Sequence, residues 1–84
     1  MSAIIGEALE REAGLLRVKI RVLRSRIRIL ERKYSMASEE FREKFESGEL
    51  GDDEEFFLWC SLLEALTSVE KRLRDVNREL QKLQ

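Results

Sequence analysis

Along the first third of this chain, Leu9, Ala13, Leu16, Ile20, Leu23, Ile27, Leu30 and Tyr34 recur at alternating steps of four and three residues. At about 100° per residue that rhythm holds all eight on one face of an α-helix, and it is incompatible with the period of two that a strand needs. No proline interrupts it. An unbroken heptad seam of this length predicts a single helix over residues 3–34 that packs along its whole length against another helix.

A second apolar set, Leu15, Val18, Val22 and Ile29, lies about 130° around the same helix. Either it widens one core-facing stripe, or one seam serves the hairpin and the other serves a second chain. A lone hairpin would leave it as an exposed apolar strip, which monomers usually avoid. The four residues are therefore the expected dimer seam, and a homodimer is the expected state.

The rest of the chain supplies the partner helix. Phe41 and Phe45 stand four apart, Gly48 suits the left-handed residue that ends a helix, and Met36 with Phe41 has hydrophobic-staple spacing. These predict a short helix over 38–47 with position 37 as N-cap, where Ala37 is a poor capping residue and Glu40 has no hydroxyl partner unless Ser38 shifts the start by one residue. A long helix over 52–83 follows: Asp52 is the expected cap with Glu55 at capping-box spacing, and Leu62, Leu66, Val69, Leu73, Val76, Leu80 and Leu83 repeat the four-three rhythm. Phe56, Trp59 and Leu63 add an aromatic patch to its first turns. The expected architecture is one all-α domain over 1–84, an antiparallel hairpin of two long helices joined by a short one, dimerising into a helical bundle.

Charge is segregated along this frame. Residues 17–33 hold eight bases against Glu31 alone, a local charge of +7, and residues 38–59 hold nine acids against Arg42 and Lys44, a local charge of −7, beneath an overall −1. Arg17, Arg21, Arg24 and Arg28 form one stripe, a candidate phosphate-binding surface. The aromatic residues lie in the acidic half, so the interleaving of bases and rings used on single-stranded nucleic acid is missing. Pairing of the basic stripe with the chain's own acids is the favoured expectation, and nucleic-acid binding the less favoured one.

Catalytic and metal chemistry find little to use. There is no histidine, and Cys60 is the only cysteine, packed by sequence beside Trp59 and better suited to a core than to a nucleophile. The run from Asp52 to Glu55 lacks the alternating oxygen ligands and central glycine of a calcium loop, and capping accounts for it better. No enzyme activity, metal or cofactor is expected. No apolar run approaches the roughly 20 residues of a membrane span, and a reducing cytoplasm is the simplest setting for one unpaired thiol.

The segment from Lys33 to Trp59 resembles a family of small helical antitoxin-like proteins of prokaryotic toxin–antitoxin operons. The matching residues are Lys33, Tyr34, Met36, Glu39, Glu40, Phe41, Phe45, Glu46, Gly48, Glu49, Leu50, Gly51, Asp52, Asp53, Phe56 and Trp59. Ser35 stands where the family has glycine, and Ala37 where it has a capping serine. The resemblance implies a non-enzymatic module that binds a basic, ribonuclease-type toxin. Glu46, Glu49, Leu50, Asp52, Asp53, Glu55, Phe56 and Trp59 are the expected contact residues, an acidic and aromatic surface complementary to a basic cleft. A homo-oligomeric coiled-coil scaffold is the structural alternative.

Overall fold

The computed structural model describes residues 2–84. They form three helices, α1 (Ser2–Tyr34), α2 (Ser38–Glu46) and α3 (Glu54–Lys82), with no strand among the described residues. The α1 and α3 helices pack along each other. Three cross-links, Lys33–Glu55, Arg24–Glu70 and Glu12–Arg72, climb one helix as they descend the other, so the pair is antiparallel. The result is a rod of 54 × 20 × 17 Å. None of the described helices is long and apolar enough to cross a membrane.

The first seam of α1 is the core. Ala13, Leu16, Ile20, Ile27 and Leu30 are buried, and the rest of the seam is half-buried. Its partners separate into two clusters. At the closed end Ile27 and Leu30 meet Phe41, Trp59 and Leu62; towards the open end Ala13 and Leu16 meet Val76. Burying a leucine or isoleucine stabilises by about 1.5–3 kcal/mol, so these few residues outweigh any surface ion pair, typically about 0–1 kcal/mol.

Each break in the chain has a local cause. At the end of α1, Ser35 takes φ 50°, which lets the Met36 amide donate to the Glu31 carbonyl at 3.0 Å and the Ser35 amide to the Arg32 carbonyl at 3.3 Å. This is a Schellman turn, and Met36 packs back on the cluster holding Leu30. At the end of α2 the same geometry recurs with Gly48 at φ 83°, where Glu49 and Gly48 donate to the carbonyls of Lys44 and Phe45. Glycine meets this turn without strain; serine does not.

The N-caps divide. Ala37 is the N-cap of α2 and makes no side-chain bond. The α3 cap is Asp53, not Asp52: its carboxylate accepts from the Glu55 amide at 2.8 Å, and the helix begins two residues later than the sequence pattern placed it. The expected capping box does not form, because the Glu55 side chain leaves its own helix end to accept from Lys33 and Tyr34 at the end of α1.

Candidate partner-binding surface

The aromatic residues at the closed end form one stack. Phe41 lies flat on Trp59, ring centroids 3.9 Å apart at 4°, and Tyr34, Phe45 and Phe56 surround the pair at tilted or offset angles. Trp59 has 0% of its surface exposed. Its indole N–H donates to the Ser38 hydroxyl at 3.1 Å, and that hydroxyl donates to the Glu31 carboxylate at 2.7 Å. The same carboxylate oxygen accepts from the Ser38 backbone amide at 3.0 Å. Glu31, the one acid in the basic stretch, is thus the anionic cap of α2 that Ala37 cannot be.

This geometry corrects the expected contact surface. Trp59 cannot touch a partner, because it is sealed between Phe41 and Tyr34. Phe56 and Leu50 are half-buried and pack against the same cluster. Glu55 is committed to α1, where bonds from Lys33 and then Tyr34 hold its carboxyl below the usual carboxylate range and raise the Lys33 pKa in turn. Asp53 is occupied as the α3 cap. What remains outward is Glu46, Glu49 and Asp52, all exposed and without an ion pair among the described residues, together with Glu54.

One apolar side chain stands among these carboxylates and was not expected. Phe57 is half exposed and is propped edge-on against Phe45, 5.3 Å away at 88°. The signal was available in the sequence. Counting the α3 rhythm backwards from Leu66 and Leu62 gives Trp59 as the next inward position, so its neighbours Phe57 and Leu58 turn outward.

The basic stripe is less neutralised than expected. Among the described residues Arg24 alone of the four makes an ion pair, with Glu70 at 2.7 Å; Arg17, Arg21 and Arg28 make none. The expectation that the −7 segment would cover the +7 segment fails for a geometric reason. An antiparallel hairpin sets residues 17–28 opposite the middle of α3, and the acidic connector reaches only the last turn of α1, where Lys33 meets Glu55 at 2.7 Å.

The second seam is uncovered. Leu15, Val18, Val22 and Ile29 expose between 46% and 66% of their surface. Near Ile29 the strip meets α3 in a groove lined by Arg26, Leu30, Leu58 and Leu62. Cys60 is half-buried against the aromatic cluster, and burial pushes its thiol pKa up, away from nucleophile chemistry. No group of three or more potential metal ligands occurs among the described residues. Compared with family models, curated proteins and solved structures, the chain matches none.

Proposed function

We propose that this chain is a non-enzymatic protein-binding module, antitoxin-like as the resemblance of Lys33–Trp59 implies, whose closed end docks on a basic partner protein. The observation that carries the reading is Phe57, an exposed ring braced by Phe45 and followed around the tip by the carboxylates Glu46, Glu49 and Asp52, which make no ion pair among the described residues. A rigid aromatic anchor in a like-charged rim suits a basic cleft: the ring contributes affinity and the charges contribute encounter rate and specificity. The stack beneath it is preorganised, so little ordering entropy opposes binding.

Co-expression of the chain with each small basic reading frame adjoining its gene tests this. A complex stable at about 0.15 M salt, and weakened at least roughly ten-fold by Phe57→Ser, supports the reading. A complex indifferent both to Phe57→Ser and to Glu46→Gln with Asp52→Asn overturns it, as does the absence of any complex.

A second reading has its own support in Arg17, Arg21 and Arg28, which make no ion pair among the described residues and lie on one side of α1. These bases would track nucleic-acid phosphate. The logarithm of duplex affinity should then fall with the logarithm of salt by about 0.9 per contact, and replacing the three by Gln should flatten that slope. We also propose that the chain is a homodimer through the second seam, since Leu15, Val18, Val22 and Ile29 are uncovered in the single hairpin.

A further inference from the structure

The proposed dimer could run either way, and the residues of α1 decide between the two. We infer that two copies of this chain pair antiparallel through α1, in the register that sets Leu15 against the partner's Val18. The inference rests on the dimer reading and adds to it a polarity, a register and an occupant for the groove beside Leu58.

The exposed strip is longer than its four central residues. Ile4 is 72% exposed, and the rhythm from Ile4 to Ile29 continues through Ala8, Arg11 and Ser25 without a missed step. In the antiparallel register Ile4 meets the partner's Ile29, Ala8 meets the partner's Ser25, and Arg11 meets the partner's Val22. Large residues face large ones and small face small, and the single charge in the seam lies over an aliphatic side chain, from which its head reaches the edge. A parallel pair sets each residue on its own copy. Arg11 would then face the partner's Arg11 inside an apolar seam, at a desolvation cost with no compensating charge.

The flanking charges point the same way. Antiparallel pairing brings Glu7 beside the partner's Arg28 and Glu12, which also holds Arg72, beside the partner's Lys19, each twice by symmetry, and it pairs no like charges between the two α1 helices. Parallel pairing brings Glu7 beside the partner's Glu12, Arg21 beside the partner's Arg26, and Arg28 beside the partner's Lys33. Every one of these is repulsive. The cause is the charge gradient along α1, acidic at Glu7, Glu10 and Glu12 and basic from Arg17 to Lys33.

The flank of α1 that carries Glu12, Arg26 and Lys33 is the one adjoining α3, because Glu12 holds Arg72 and Lys33 holds Glu55. Ile5 lies on this flank, 51% exposed. Antiparallel pairing carries it to the partner's Arg26, at the mouth of the groove that Ile29, Leu58 and Leu62 line. Two apolar surfaces that the single hairpin leaves open, Ile5 and Leu58, thus cover one another. In a parallel pair they would lie roughly 36 Å apart along the helix.

Three measurements on the full chain test this. Sedimentation equilibrium between about 1 and 100 µM should give a dimer; a monomer throughout removes the dimer reading and this inference together. With Cys60→Ser and spin labels at Ala3→Cys, the interlabel distance should be roughly 40 Å, against less than about 20 Å for parallel helices. Charge reversal then gives opposite signs for the two polarities. Glu7→Lys should weaken the antiparallel dimer by roughly three- to ten-fold, and Glu7→Lys with Arg28→Glu should restore it. In a parallel dimer each single reversal would tighten association. A dimer with the short distance, or one tightened by Glu7→Lys, overturns the polarity and leaves the dimer standing. Both positions are exposed and make no ion pair among the described residues, so the fold survives either change.

Discussion

Ser38→Ala should be the most informative single substitution at the closed end. The hydroxyl it removes is the partner of the Trp59 indole N–H among the described residues, a donor inside a side chain with no exposed surface, and it also donates to Glu31. Stranding a buried donor costs about 1–3 kcal/mol. The Glu31 carboxylate keeps the Ser38 amide at 3.0 Å, so helix α2 retains its anionic cap and the loss should come mainly from the indole. With a urea m-value of about 1–1.5 kcal/mol/M, the midpoint should fall by roughly 0.7–3 M at unchanged m. Circular dichroism at fixed protein concentration is the assay, because dimerisation would make the midpoint concentration-dependent. The control is the Trp59→Phe background, where stacking on Phe41 survives and the donor is gone. There Ser38→Ala should cost clearly less, and the difference is the coupling between hydroxyl and indole. Equal costs in the two backgrounds, or a cost below about 0.5 kcal/mol in the parent, would refute the reasoning.

Three further changes test the chain breaks and the ion pairs. Ser35→Gly should stabilise by about 0.5–1 kcal/mol in thermal or urea unfolding, because it relieves a left-handed serine at a Schellman turn; a loss would mean the Ser35 side chain supports the turn. Ala37→Ser should add about 0.5–2 kcal/mol through a cap bond to the second or third amide of α2, and no gain would mean that Glu31 already meets the need of that helix end. The folded pKa of Glu55 is depressed by Lys33 and Tyr34, so its contribution is present above the unfolded carboxyl pKa and is lost as pH falls through the folded value. Unfolding midpoints measured from about pH 6 down to pH 3 should therefore decline less steeply in Glu55→Gln than in the parent.

Much of the fold was legible because its signals were periodic. The seam from Leu9 to Tyr34 and the leucines of α3 specified two long helices, and Gly48 marked the end of α2, where the structure has φ 83°. What escaped was the set of specific polar contacts between residues distant in sequence. Nothing local distinguishes Asp52 from Asp53 as a cap; Glu55 decides it by turning towards Lys33 and Tyr34. Glu31 looked like an interruption in a basic stretch and is a remote cap for Ser38 seven residues on. The inward turn of Trp59 follows from the heptad count, whereas the composition of the stretch alone places it with the acidic surface. Net charge per segment predicts neutralisation of the arginine stripe, but that quantity ignores which residues an antiparallel hairpin sets opposite one another.

The division of the core into two clusters gives the rod two ends of unequal permanence. Contacts at the closed end join residues about three dozen positions apart or fewer, such as Lys33 with Glu55, Tyr34 with Trp59 and Leu30 with Leu62, and they need a shorter loop to form. Contacts at the open end join Glu12 to Arg72 and Ala13 to Val76, roughly 60 positions apart, and they become inexpensive to close only after the aromatic end is in place. The hairpin should therefore behave as a zipper. At concentrations low enough to keep the chain monomeric, amide exchange should be fastest near Ile4 and Leu80, slow progressively past Ile20, and be slowest around Leu30 and Leu62, with opening at the free end leaving Phe57 and its carboxylates undisturbed.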